Sequence, residues 1–186
     1  NPITLTYSIT AACQSRCRTC NIGLKFRQDP GRNNRDLGLE EIEKVFHGLG
    51  EIYFFNVSGG EPYLRGDLPE IIRLGMRYLR PRIIHIPTNA LAPEKIRDLT
   101  VQCLDIINEY DPGVPLTVKP SIDGVGRRHD EIRGVPGNFK RLERTILHLK
   151  GLEKKYPNFH LELGTVISNF NINYLGEIED YVHSLG

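Results

Sequence analysis

The chain has no excess of charge of either sign: 24 Lys and Arg stand against 23 Asp and Glu. So balanced a chain carries no electrostatic footprint for nucleic acid, and no basic amphipathic stretch marks a membrane-surface helix. No apolar run approaches the length that spans a bilayer. Low-complexity tracts and short repeats are absent too, which excludes repeat architectures. Cysteines are few. Four in 186 residues, three of them close together, do not make a disulfide framework. The trio would leave one thiol over, and a chain of this length builds a core without covalent staples. Reduced, clustered thiols fit a cytoplasmic compartment.

What is present is that cluster: Cys13, Cys17 and Cys20 in the run Ala12-Cys-Gln-Ser-Arg-Cys-Arg-Thr-Cys-Asn21. The spacing C-x₃-C-x₂-C supplies three thiolates and no fourth. An iron–sulfur cube has four irons, so three protein ligands leave one iron open to a small molecule, whereas a cube held by four cysteines only passes electrons. Two other metal readings compete. Structural zinc asks for four ligands, usually in two separated pairs, and no His lies in this loop; His47 and His85 fall in later elements. That alternative is a zinc-stabilised α/β binding module. A non-catalytic iron–sulfur electron-transfer domain would need Cys103 as the fourth ligand. Cys103, however, sits in a run with helical spacing of apolar residues, where a cysteine serves as a small buried hydrophobe.

Along the chain, strand and helix signals alternate. Ile3–Ile9 reads as a strand with Ile3, Leu5, Tyr7 and Ile9 on one face. The cysteine loop follows it, and the polar stretch 25–36, with Pro30 and Gly31, reads as loop. Leu39–Phe46 reads as a helix, with Leu39, Ile42, Val45, Phe46 and Leu49 as its stripe. Glu51–Val57 is an almost unbroken apolar strand, of the kind buried on both faces. Asp67 is placed to cap a helix running to Tyr78, with Glu70 completing a capping box. Further strands are expected at 82–87, 114–121 and 159–167, and further helices at 93–109, 138–156 and 172–185. Pro115 and Pro120 suit the ends of the fourth strand rather than its middle.

Strand followed by helix, five times over, predicts an α/β fold of parallel strands with right-handed crossovers, either doubly wound or barrel-like. In a barrel the active residues occupy the loops that follow the strands. Nearly every distinctive polar motif lies in such a loop. The cysteine trio follows strand one, Ser58-Gly-Gly-Glu-Pro62 strand two and Thr88-Asn89 strand three. Ser121-Ile-Asp-Gly124 ends strand four, and Thr165 and Asn169 bracket the end of strand five. All of them point to one mouth.

With Cys13, Cys17 and Cys20, Gly59-Gly60-Glu61-Pro62, and Ser121-Ile-Asp-Gly124 with its downstream His129-Asp-Glu-Ile-Arg133-Gly, the chain resembles the radical S-adenosylmethionine (radical SAM) enzymes over essentially its whole length. The resemblance implies a partial (β/α) TIM-like barrel. About five βα units are present of an expected six, so that residues 1–186 look like the core domain of a longer enzyme. It implies two cofactors, a [4Fe–4S] cluster on the three cysteines and S-adenosylmethionine chelating the open iron. The reaction implied is reductive cleavage to a 5′-deoxyadenosyl radical that abstracts hydrogen from a peptide, a protein or a small metabolite. An electron donor such as flavodoxin or ferredoxin is implied as partner; nucleic acid and membrane are not.

Against that background Gly59 and Gly60 suit close backbone approach to the ligand, or form an ordinary turn. Glu61 suits the cofactor's ammonium. Thr88 and Asn89 bond cofactor polar atoms or cap the next helix. Ser121 and Asp123 take ribose hydroxyls or make an Asx-type turn. Arg133 makes a two-pronged contact with the methionine carboxylate or stands as a surface cation. Val166 and Ile167 touch adenine or fill the core, and His129 is structural. Many family members have an aromatic residue just before the third cysteine; here it is Thr19, so backbone contacts are expected there in place of stacking. Arg16 and Arg18 flank the cluster motif and either offset its negative charge or lie solvated at the surface.

Overall fold

A computed structural model describes residues 2–186, the side chains of 32–34 excepted. Five strands, β1 (Thr4–Ser8), β2 (Phe54–Ser58), β3 (Ile83–Thr88), β4 (Leu116–Pro120) and β5 (Phe159–Leu161), form one sheet. Every neighbouring pair is parallel and the order is β1-β2-β3-β4-β5. A doubly wound sheet reverses its strand order at a switch point. This order never reverses, so the sheet winds in one direction as a partial (β/α) barrel. The helices between are α1 (Ile22–Gln28), α2 (Leu39–Leu49), α3 (Leu68–Leu74), α4 (Pro93–Tyr110), α5 (Arg127–Arg133), α6 (Asn138–Glu153) and α7 (Leu175–Ser184).

One face of the sheet is sealed. Phe55 and Val57 of β2, Ile84 and Ile86 of β3, and Leu116 and Val118 of β4 share a core with Ile42 and Phe46 of α2, Ile71 and Ile72 of α3, and Leu104 and Ile107 of α4. The opposite, concave face is polar: Thr6, Asn56, His85, Thr117 and His160 fall in one register row. Asn56 donates to Thr6 (3.4 Å) and meets His85 Nδ1 through its oxygen at 2.8 Å. Strand 51–57 is therefore buried on one face only, and Phe54 and Asn56 are half open. Its apolar run came from Ile52 and Tyr53, which precede the strand, and from Phe54, whose ring stacks on His85.

Other boundaries shift for local reasons. Within the stretch expected to be loop, the backbone forms α1 and a 3₁₀ segment, Pro30–Arg35. Asp67 does not cap α3; both of its oxygens take the Arg65 guanidinium, at 2.8 and 2.6 Å. Arg65 in turn donates to the carbonyls of Ile9 and Leu37, so the cap residue is diverted into holding the end of β1. After Leu74 the helix widens into a π turn, Gly75–Leu79. Gly75 lies against the Phe55 ring, where a β-carbon would come within 2.8 Å of Cε1. β5 stops at Leu161 and regains the sheet through a single bridge between Ser121 and Gly164.

Candidate active site

The C-terminal ends of the strands carry the site, and its centre is the cysteine loop. Three glycines let other backbones touch that loop. A β-carbon on Gly60 would fall well inside contact distance of the Ala12 carbonyl, one on Gly23 of the Ser15 carbonyl, and one on Gly134 of the Arg16 carbonyl. Hydrogen bonds run through these approaches: Gly60 N to Thr10 O and Glu61 N to Ala12 O at 2.8 Å each, Arg16 N to Arg133 O at 3.0 Å, Arg18 N to Ile132 O at 2.8 Å. Gly59 and Gly60 are thus required for close approach, as their sequence suggests, and what they approach is the cysteine loop itself. Asp36 ties down the loop's entrance by accepting from Thr10 Oγ1 and from Ala11 N. At its far end the Arg18 guanidinium stacks 4.0 Å from the centre of the Phe170 ring.

So held, the three thiols are graded in exposure: Cys13 is buried, Cys17 half-buried and Cys20 exposed. Burial pushes the Cys13 and Cys17 thiols above their ordinary range. The loop works against that shift. The Ser15 N–H and the Asn89 side chain favour the Cys13 thiolate, and the Arg133 charge favours that of Cys17. Cys103 belongs elsewhere. It is sealed in the main core on α4, and burial alone drives its thiol far up. Among the described residues no three His, Cys, Asp or Glu side chains converge on one point as a single metal ion would require.

One wall of the site is built on Glu61. Its carboxylate is buried and accepts from Thr88 Oγ1 (2.8 Å), Asn89 N (2.7 Å) and Tyr63 N (3.3 Å). All three donors are neutral, and burial raises the Glu61 carboxyl to about 7. Thr88 and Asn89 are turned into this wall instead of capping α4, whose N-cap is Ala92. The Asn89 amide reaches from the wall to Cys13 Sγ (3.8 Å) and to Gln14 Oε1 (3.3 Å).

The other wall is built on Asp123. One carboxylate oxygen takes Arg133 Nη1 at 3.1 Å and the other takes the Val166 N–H at 3.0 Å. Both residues are buried; Arg133 is 8 % exposed. The Asp123 N–H donates to His129 Nδ1 (3.2 Å), and burial followed by the Arg133 charge lowers that imidazole to about 4. His129 is structural, as expected: neutral, enclosed and edge-on to Phe139. Asn171 anchors the last loop by donating to the carbonyls of Asp123 and Val166. The sequence pointed to Asn169, two residues away, which is exposed. Ser121 lies at the bridge to Gly164, half-buried, beside these groups. Val166 and Ile167 are 55 % and 63 % exposed, an apolar lip where core was an option.

Ser15 Oγ, inside the cysteine loop, and Arg133 Nε lack partners among the described residues, as does His129 Nε2. A buried donor without an acceptor is costly, about 1–3 kcal/mol, and native proteins rarely leave one. Ser15 and Arg133 lie where the charges of the thiols are felt, and Arg133 also bears on Glu61.

The profile of the Radical SAM superfamily matches residues 7–181. The AdoMet-dependent heme synthase of Oleidesulfovibrio alaskensis is 27 % identical over 189 residues, covering 98 % of this chain and 42 % of that protein. The AdoMet-dependent heme synthase of Methanosarcina barkeri is 28 % identical, covering 100 % and 48 %. The chain therefore spans about half the length of the curated relatives it matches. Among solved structures, native anSMEcpe with bound AdoMet and a Cp18Cys peptide superposes with a TM-score of 0.70 at 18 % identity, covering 99 % of this chain and 48 % of that one. No helix among the described residues is long and apolar enough to cross a membrane.

Proposed function

The chain belongs to the radical SAM superfamily of enzymes, and from that premise we propose that Cys13, Cys17 and Cys20 hold a [4Fe–4S] cluster whose fourth iron takes S-adenosylmethionine. When bound, the pair supplies reductive cleavage of S-adenosylmethionine and, through it, hydrogen-atom abstraction from substrate. The observation that carries this reading is the graded trio of thiols at the mouth of the sheet with Cys103 shut in the core, which leaves three thiolates and no fourth. Ser15 Oγ and Arg133 Nε fit the same reading, because a cluster and a carboxylate are the acceptors these buried donors lack.

The protein's own residues bind, orient and exclude water. Arg133 serves as the fork for the methionine carboxylate, with Nη1 committed to Asp123 and Nε free to donate. Asp123 holds that fork and, through the Val166 N–H, the apolar lip of Val166 and Ile167 against which adenine lies. Ser121 and the outward atoms of Thr88 and Asn89 meet polar groups of the cofactor. Glu61 is a positioning residue on this reading: its carboxylate joins the loops after β2 and β3, and the negative end of this wall is the one offered to the cofactor's ammonium. The relatives' names cover a heme synthase and a protein with a bound peptide, so the proposal stops at hydrogen abstraction and leaves the substrate that gives up the hydrogen as a peptide, a protein or a small metabolite. An external one-electron carrier is required.

The test is anaerobic reconstitution with iron and sulfide, reduction with dithionite, addition of S-adenosylmethionine and detection of 5′-deoxyadenosine by mass spectrometry. We expect product with the wild type, and background with Cys17→Ala at unchanged circular dichroism. Equal product from Cys17→Ala, or a protein that takes up zinc and no iron, overturns the assignment.

A further inference from the structure

The cysteine loop does not close flat on the sheet. A cavity of about 380 Å³ lies between the loop's entrance, the start of α1 and the end of β1. Thr10 and Ala11 line it from the loop, Asn21, Ile22 and Lys25 from α1, and Gly60 from the loop after β2. Ser8 lines it from β1. Ser8 stands two residues beyond Thr6 on that strand, so it belongs to the same, concave face of the sheet. Gly60 adjoins Glu61, so the cavity borders the wall built on that carboxylate.

The side chains around this cavity are unevenly committed. Asp36, the carboxylate that reaches the lining, has one oxygen on Thr10 Oγ1 and the other on Ala11 N. The Gly60 N–H donates to the Thr10 carbonyl at 2.8 Å. Lys25, by contrast, is exposed and makes no ion pair with any described residue. Asn21 holds the N-cap position of α1, yet its side chain makes no cap bond. The Ser8 hydroxyl is exposed and has no bond to a described residue. The cavity thus presents one ammonium, one amide and one hydroxyl, and none of its lining residues carries a carboxylate.

We infer that this cavity takes the carboxylate of a small-metabolite substrate, with Lys25 as the counter-charge, Asn21 and Ser8 as neutral donors, and Ile22 against the carbon chain. The inference rests on the reaction proposed above and names the class of molecule that gives up the hydrogen atom. One ammonium with two neutral donors matches a single negative charge. A phosphate draws on a nest of backbone N–H groups or on further cations, and here the Ala11 and Gly60 N–H groups are already bound. The volume lies at the small end of ligand sites, which suits a metabolite and not a length of peptide. Ser8 continues the face that carries Thr6, Asn56 and His85, so a molecule anchored by its carboxylate meets further hydrogen-bonding groups along that face.

The experiment follows fluorine NMR of trifluorobutyrate and of its neutral amide added to the reconstituted full-length enzyme with S-adenosylmethionine. Lys25→Gln and Lys25→Arg are compared with wild type at matched circular dichroism and iron content. We expect wild type to bind the acid at least about fivefold more tightly than the amide, Lys25→Gln to lose that preference and Lys25→Arg to keep it. Ser8→Ala should weaken the acid by less, about twofold. Equal affinity of wild type and Lys25→Gln for the acid overturns the site, and so does equal affinity of wild type for acid and amide. Displacement of the acid by inorganic phosphate at lower concentration than by butyrate would make this a phosphate site instead. Displacement by a tripeptide with a free C-terminus, but not by butyrate, would give it to a peptide. A wild type that forms 5′-deoxyadenosine yet binds no acid loses this site and keeps the radical chemistry. A chain that binds the acid but acquires no iron loses the radical chemistry, and the cavity then loses its role as a substrate site.

Discussion

The two walls that grip the cysteine loop each bury one carboxylate, and they treat it in opposite ways. On the β2–β3 side Glu61 is surrounded by neutral donors, from Thr88, Asn89 and Tyr63, with no cation in contact. Burial therefore dominates, and the carboxyl is raised to about 7. On the β4–β5 side Asp123 is paired directly with Arg133, while burial, followed by the Arg133 charge, lowers the neighbouring His129 to about 4. One wall is adjustable by pH near neutrality and the other is locked by charge.

The largest expected effect breaks the locked wall. Arg133→Met leaves the Asp123 carboxylate buried without its cation, which costs on the order of 3–5 kcal/mol. Urea denaturation should show that loss, and Asp123→Asn added to Arg133→Met should recover much of it. A single substitution that costs under about 1 kcal/mol would mean the pair is not the lock described.

Next in size is the adjustable wall. Glu61 has a folded-state value raised from its ordinary 4.5, so the folded chain holds that proton more tightly than the unfolded chain. Its contribution is complete below about pH 4.5 and is lost as pH rises through about 7, a span of about 3 kcal/mol. His129 runs the other way. Its lowered value makes its contribution complete above 6.5 and lost as pH falls toward about 4. Between about pH 4.5 and 6.5 the two slopes oppose each other. Wild-type melting temperature should accordingly change little across that window. Glu61→Gln should uncover the His129 slope, with a melting temperature that rises steadily with pH. A flat profile in Glu61→Gln would remove the opposition.

These walls also mark what was readable without the structure. The alternation of periods gave five βα units, and the order of motifs after strands placed the cysteine loop, Glu61, Thr88, Asn89, Ser121 and Asp123 at one mouth. Cys103 was assigned to the core from helical spacing alone. Those features are local, and each is written in consecutive residues. What stayed hidden depends on distant pairs. Nothing near Gly134 indicates that the Arg16 carbonyl will rest on it, and nothing near Arg133 says that its partner lies ten residues upstream, across a loop. α1 escaped because a seven-residue helix with Gly23 in it has weak propensity and forms by packing on the Ser15 carbonyl. Asp67 has the residue type and spacing of a cap, and a stronger charged donor, Arg65, outcompetes the backbone for it.

The glycines sharpen the comparison further at a cost of roughly 1–3 kcal/mol each. Gly134→Ala meets two obstacles, the Arg16 carbonyl and a φ of 69°. Gly60→Ala meets the Ala12 carbonyl and, at 3.0 Å, the Cys13 β-carbon, with no positive φ to add strain. Both should displace the cysteine loop, and iron bound per chain after reconstitution reads that displacement. Gly134→Ala is expected to lower both iron content and melting temperature more than Gly60→Ala. The reverse order would place the grip on the Glu61 side.

The smallest effect tests whether the loop's outer end matters at all. Arg18 stacks on Phe170, and Arg128 lies 3.3 Å over Tyr174, so two cation–aromatic contacts pin the segment after β5 to the β4–β5 wall and to the cysteine loop. Such a contact is worth about 0.5–1 kcal/mol where solvent reaches it. Phe170→Leu keeps apolar bulk and removes the ring, so global stability should fall by no more than about 1 kcal/mol. The informative readout is local: amide hydrogen exchange at Arg18 and Thr19 should quicken while exchange at Cys13 and Ser15 stays slow. That pattern would follow from a loop whose Cys20 end is held by surface stacking and whose Cys13 end is held by buried backbone contacts with Gly23, Gly60 and Glu61. Uniform acceleration along the loop would mean that its two ends open together, and the graded burial of the three thiols would then reflect one cooperative unit.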